Sequence, residues 1–363
     1  MTGRAPGARV DAMEKTLGEG EFTPEGTYLN TSVSGLLPAR AAAAVGVLTR
    51  ALTTGRHGGP DNGSAITAAR RSFAGIAHVP EDRVAIGSSV AVHVALVAQA
   101  LPPGAEVLFP EGEYSSVVTP FTVRGDLRVR YAPLEALADA VRPGTALVAF
   151  STVQSADGRI ADSAAVREAA AAHGARTLAD ASQSAGWLPL AAGDWDYTVT
   201  AAYKFLLCPR GVSFLTVGED AQDSLVPIHA GPSAGERQWT FYGPVEDLAP
   251  SARRYDETPA TLPYHAAGPA LALLEEIGID AVHAHATGLA RRFREGLTAL
   301  GHRPLPGDSA IVAVPGLGGQ AAGLARGGVA VSARAGNLRA AFHLYNSAAD
   351  VDRALDALAA LTG

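Results

Sequence analysis

Apolar positions recur at helical spacing from Pro38 to Thr53, which predicts a helix there. Ala65 to Ala77 reads as a second, amphipathic helix. A mostly apolar helix follows Ser89 and runs to Leu101, and an Ala-rich one spans Ala161 to His173. Short apolar runs between these segments read as strands: Glu106-Val-Leu-Phe, Leu127-Arg-Val-Arg-Tyr, Ala146-Leu-Val-Ala-Phe, Thr177-Leu-Ala and Val212-Ser-Phe-Leu. Strand and helix alternate, so the expected fold class is α/β, with a mainly parallel central sheet and helices on both faces. A Gly-rich loop, Thr54 to Gly63, carries Arg56 and His57. The stretch from Gly231 to Pro263 looks irregular and clusters Trp239, Phe241 and Tyr242, which are candidates for a pocket wall or a subunit contact. A long helix, Tyr264 to Ile277, leads towards the C-terminus. The expected organisation is a loosely docked tail over residues 1–26, a large domain over 27–240 and a smaller α+β domain over 241–363. The segment after the tail is available to pack on the small domain.

Composition narrows the options. Of the 363 residues, 47% are hydrophobic, enough for a sizeable core. The net charge is −7 and no basic run exists, which argues against a nucleic-acid partner. One cysteine excludes an intrachain disulfide and fits a reducing cytoplasm. Met1 to Phe22 lacks the apolar core of a signal peptide, and no apolar run approaches a membrane span. His283 and His285 are two residues apart and do not share a helical face, so no metal site is expected there.

The chain has two lysines, Lys15 and Lys204, against 27 arginines. Lys15 lies in the polar N-terminal segment, whereas Lys204 lies in the apolar run Tyr197-Thr-Val-Thr-Ala-Ala-Tyr-Lys-Phe-Leu-Leu. Arginine is a permanent cation, while lysine can lose its proton and act as an amine nucleophile. A lysine kept at an apolar site in such a chain points to amine chemistry, most simply a Schiff base. A lysine snorkelling from a strand end is the plainer alternative. Asp180 falls at the end of the strand-like Thr177-Leu-Ala. In open α/β sheets ligands bind outside the carboxyl ends of strands, where such an acid can pair with a buried cationic ring nitrogen.

Asp180-Ala-Ser-Gln183, then Lys204, then Cys208-Pro-Arg-Gly211 resemble the class V aminotransferase family. These are fold-type I pyridoxal phosphate (PLP) enzymes that include cysteine desulfurases, C–S lyases and isopenicillin N epimerase-like proteins. The resemblance runs from Tyr28 to the last helix. It implies that Lys204 binds the cofactor aldehyde, Asp180 the pyridine nitrogen and Gln183 the ring oxygen. Tyr114 would stack on the ring, and Ser155 falls where the family often has Asn near the ring hydroxyl. Ser88 and Ser89 would hold the phosphate at a helix N-terminus. Tyr203 stands in place of the usual phosphate-side His, and Ala201 in place of a phosphate-binding Ser. Thr258 would reach the phosphate of a partner subunit, implying a homodimer with shared active sites. Val331-Ser-Ala-Arg-Ala-Gly-Asn-Leu-Arg-Ala-Ala-Phe-His-Leu-Tyr-Asn346 is similar to the family's terminal strand, in which Arg339 takes the place of the carboxylate-binding arginine. Arg334 is free to pair with a nearby acid instead.

Desulfurases carry a nucleophilic cysteine on a loop before that arginine. Here Gly336-Asn-Leu-Arg339 leaves no room for the loop and contains no cysteine, and Cys208 fits a small buried position better. Without that cysteine the resemblance implies β-elimination at a C–S bond of an amino acid, transamination or epimerisation, and elimination is the expectation because many family members are sulfur enzymes. A PLP-binding protein without catalysis is a further alternative. So is a dinucleotide-dependent oxidoreductase, suggested by Gly316-Leu-Gly-Gly-Gln-Ala321. The latter motif lies close to the C-terminus and lacks a following ribose-binding acid.

Overall fold

A computed structural model describes residues 15–56, 60–237 and 241–362. His57 and Trp239 lie outside the described residues. The first elements are β1 (Thr27–Tyr28), α1 (Ala39–Thr53), α2 (Pro60–Ala77), β2 (Val84–Gly87) and α3 (Val90–Ala100). They lead to β3 (Glu106–Pro110), α4 (Ser115–Thr122), β4 (Arg128–Ala132), β5 (Thr145–Ser151), α5 (Ser163–His173) and β6 (Arg176–Asp180). Next come β7 (Tyr197–Ala201), β8 (Ser213–Val217), α6 (Thr261–Ile277), α7 (Ile279–Ala299) and β9 (Ile311–Val314). The chain closes with α8 (Ala321–Arg326), β10 (Val329–Ala330), β11 (Ser332–Arg334), β12 (Asn337–Ala341) and α9 (Ala348–Thr362).

The expected mainly parallel sheet is present. Seven strands lie in the order β2-β8-β7-β6-β5-β3-β4, and the five from β7 to β4 are parallel. β8 runs antiparallel to both β2 and β7, so β2 points the same way as β7. The carboxyl ends of β2, β3, β5, β6 and β7 therefore share one edge. β7 and β8 are buried at every position, which explains why they show no polar alternation in sequence. A three-stranded antiparallel sheet, β11-β12-β9, forms near the C-terminus, and β1 pairs in parallel with β10.

Two local readings change, and the preference for a Gly-rich turn over a dinucleotide fingerprint at Gly316 to Ala321 holds. Helix α2 begins at Pro60, inside the segment read as a Gly-rich loop; proline is well suited to a first helical position because its missing N–H costs nothing there. Residues 15–26, read as a loose tail, are tied down. The Leu17 N–H donates to the Leu344 carbonyl (2.8 Å), Glu21 pairs with Arg40 (2.6 Å), and Phe22 packs on Tyr345 at 5.0 Å between centroids. The Gly316-to-Ala321 motif is the turn between β9 and the six-residue α8. The strand bonded to β9 is the antiparallel β12, so the parallel unit of a dinucleotide fold is missing there.

Candidate active site

The shared sheet edge gathers the residues singled out in the sequence. Asp180 is the last residue of β6 and is 3% exposed. Its Oδ1 accepts the Ser182 N–H at 2.7 Å. The Ser182 hydroxyl in turn accepts the Ala201 N–H at 2.8 Å, tying the ends of β6 and β7 together. Burial raises the Asp180 pKa, and the charge of Lys204 works against that rise.

Lys204 follows β7 and is 5% exposed. Burial, reinforced by Arg339, Arg210 and Arg334, pulls its pKa from 10.5 down to about 8, while Asp180 opposes the drop. Its Nζ lies 5.3 Å from the Tyr114 ring centroid and 5.7 Å from that of Tyr203. Among the described residues it has no carboxylate at ion-pair distance. The backbone here is clamped: the Gly35 N–H donates to the Tyr203 carbonyl (2.8 Å), and a Cβ at Gly35 would collide with the Lys204 carbonyl.

Glu113, which the sequence reading passed over, fixes Tyr114. Its carboxylate accepts from the Ser151 N–H (2.7 Å), the Ser151 hydroxyl (2.6 Å), the Tyr114 N–H (2.6 Å) and Gln154 Nε2 (3.1 Å). Tyr114 thus stands at the start of α4, 41% exposed, with its ring near the lysine amine.

Gln183 and Arg339 meet at Ser155. Gln183 Nε2 donates to the Ser32 carbonyl (3.0 Å) and the Ser155 hydroxyl (3.2 Å), while its Oε1 is buried without a partner. The free atom is an acceptor, so serving a ring oxygen would require the amide to turn over. Arg339 is 1% exposed. Its Nε donates to the Ser332 hydroxyl (3.1 Å) and its Nη1 to the Ser155 carbonyl, while Nη2 has no hydrogen-bond partner among the described residues. Burial, helped by Arg334, lowers its pKa to about 10. Arg334 is exposed and donates to the Ala333 carbonyl, with no acid paired to it among the described residues.

The loop after β2 departs from expectation. The Ser88 N–H (2.8 Å) and hydroxyl (2.7 Å) both donate to Glu257 Oε2. Ser89 is the N-cap of α3, and its side chain makes no capping bond, so the helix N-terminus stays open. The Tyr264 hydroxyl accepts from the Gly87 N–H (3.1 Å) and lies 2.8 Å from the Gly87 carbonyl and 3.0 Å from that of Ser213. Thr258 is exposed and follows Glu257 directly.

Cys208 is buried at 4% exposure, its thiol donating to the Leu206 carbonyl (3.4 Å), and burial pushes its pKa up. Such a thiol is a poor nucleophile. Between β11 and β12 only Ala335 (φ 47°) and Gly336 (φ 78°) form the turn, so the hairpin is as short as hairpins become. Phe241 and Tyr242 are 67% and 93% exposed, and His283 stacks on Trp187 while His285 faces the Asn346 carbonyl.

The family model for aminotransferase class V matches residues 54–354. The chain belongs to the class V aminotransferases. Among curated relatives, an uncharacterized aminotransferase of Bacillus subtilis, YcbU, is 29% identical over 314 residues, covering 81% of this chain and 83% of the relative. An isopenicillin N epimerase of Streptomyces clavuligerus is 29% identical over 343 residues, covering 81% and 84%. Among solved structures, the cystine C–S lyase C-DES in complex with cysteine persulfide superposes with a TM-score of 0.83 at 22% identity, covering 92% of this chain and 97% of the lyase. Class V aminotransferases are enzymes that work with pyridoxal phosphate, and the cluster suits that group. It offers a buried carboxylate, a buried amine of lowered pKa and a helix N-terminus without a side-chain cap on one sheet edge.

Proposed function

We propose that the chain acts on an amino acid with PLP held at Lys204, and that the reaction is β-elimination at a C–S bond. When bound, the cofactor supplies a carbonyl that captures amines and a ring that accepts the electron pair left at the substrate α-carbon. In this reading Lys204 would hold the cofactor through its Nζ and would serve as the base that takes the substrate α-proton. Asp180 would hold the pyridine nitrogen and keep it protonated. Tyr114 would stack on the ring, and Gln183 and Ser155 would hold the ring oxygen. Ser89 and Tyr203 would serve the phosphate, with Ser88 available only on release from Glu257, and Thr258 of a partner subunit would join them in a homodimer. Arg339 offers Nη2 to the substrate carboxylate.

The observation that carries this reading is the Lys204 amine. It is buried, lacks an ion pair among the described residues, and has a pKa near 8, so a large fraction is a neutral base at that pH. Several features support elimination over sulfur transfer to the protein. Cys208 is inert, and the β11–β12 turn has no space for a thiol-bearing loop. In elimination the Cα–H and Cβ–S bonds break, a thiol leaves with a proton, and water addition releases pyruvate and ammonia. The fold likeness to a C–S lyase is compatible with this outcome. A cytoplasmic setting goes with the single free thiol, and no described helix is long and apolar enough to cross a membrane.

A second reading, epimerisation, is favoured by the relative named isopenicillin N epimerase. It requires an acid to return the proton on the other face, and the Tyr114 phenol is the candidate. Incubating the PLP-loaded protein with S-substituted cysteines and other amino acids in D2O separates the outcomes. We expect thiol and pyruvate from the cysteine derivatives. Deuterium at Cα with loss of optical rotation and no pyruvate would favour epimerisation. An enzyme that exchanges no α-proton of any amino acid tested would overturn the proposal.

A further inference from the structure

Two ordinary side-chain partners are lost at the phosphate end of the site. Ala201 has a methyl where a hydroxyl is expected, and both Ser88 donors are taken by the carboxylate of Glu257. An anion already sits beside the loop, so a phosphate arriving there needs a compensating cation.

Strand register supplies one. Gly87 and Ala201 both pair with Ser213, and the Ala202 N–H donates to the Val212 carbonyl at 3.1 Å. Ser88–Ser89, Ala202–Tyr203 and Arg210–Val212 therefore leave the same sheet edge side by side. The Arg210 guanidinium stacks over the Tyr203 ring, 4.1 Å from its centroid, and has no ion pair among the described residues. The ring acts as a shelf that fixes the guanidinium plane. The charge of Arg210 is also felt at Lys204, where it helps lower the amine pKa.

We propose that Arg210, shelved on Tyr203 beside the Ser88–Ser89 loop, grips the phosphate group of the cofactor. A planar guanidinium binds phosphate in bidentate fashion and offsets Glu257 as well as the missing hydroxyl at Ala201. This rests on PLP being the cofactor.

The test is equilibrium binding to the cofactor-free protein, followed by visible absorbance. Wild type, Arg210→Met and Arg210→Lys are each titrated with PLP and with pyridoxal, which carries the same aldehyde without the phosphate. The expected result is that Arg210→Met weakens PLP by about 10–100-fold, the range for a charged hydrogen-bonding group. Pyridoxal should be unaffected within about twofold, and Arg210→Lys should recover part of the loss. Equal losses for both ligands, or no loss for either, would overturn the assignment, the first marking a structural role. Wild type that binds neither ligand would overturn the cofactor reading itself.

Discussion

Among the described residues two pairs of opposite charges are buried, and only one of them is closed. Arg70 and Asp256 meet through two hydrogen bonds, at 2.5 and 3.1 Å, with the Ile86 N–H (2.9 Å) and the Val84 carbonyl filling further positions. Lys204 and Asp180 feel each other's charge but form no ion pair, and each keeps capacity to spare. The closed pair joins α2 to the segment before α6 and does architectural work. The open pair stands at the end of β6 and just beyond the end of β7, without an ion pair. Unspent polar capacity at a strand-end crevice marks chemistry; spent capacity marks structure.

The comparison breaks most clearly under substitution. Lys204→Ala should lower activity on the order of 10^4-fold or more. The same change should leave the stability of the cofactor-free protein equal or higher, because an incompletely paired buried cation is removed. Asp256→Asn should do the reverse in stability: leaving Arg70 buried and unmatched costs about 3–5 kcal/mol, read as a lower denaturant midpoint. Equal losses of stability in the two variants would erase the distinction.

A smaller effect sharpens the open pair. The Lys204 amine has a pKa of about 8 when folded, below its ordinary 10.5. The unfolded chain therefore binds more protons between these values, and stability of the cofactor-free protein should rise with pH across that window. Over the same groups the rate of PLP capture should climb about tenfold per pH unit until about pH 8 and then level off, because only the neutral amine attacks a carbonyl. A capture rate still climbing at this slope to pH 10.5 would mean that the amine keeps its ordinary pKa.

What the sequence made legible follows from local signals. Lys204 stood out because arginine fills nearly every other cationic position, and Asp180 because it ends a short apolar run. Arg339 was carried by its neighbours in the terminal strand. Other members of the site left no local trace. Glu257 meets Ser88 across 169 residues, Tyr264 reaches Gly87 across 177, and Glu113 holds Ser151 and Gln154 from another strand end. Arg210 sat in a Pro-x-Gly turn that looked purely geometric. Its stack on Tyr203 depends on β7 and β8 being neighbours, which the alternation of elements did not reveal. The same holds for residues 15–26, whose anchors on Leu344 and Tyr345 lie at the far end of the chain.

With only two lysines, the central claim has a direct test. The PLP-loaded protein is reduced with borohydride, digested, and the phosphopyridoxyl group mapped by mass spectrometry. The label should fall on Lys204 alone, at one per chain, and vanish in Lys204→Ala. Label on Lys15 or the N-terminal amine, with Lys204 unmodified, would contradict the account.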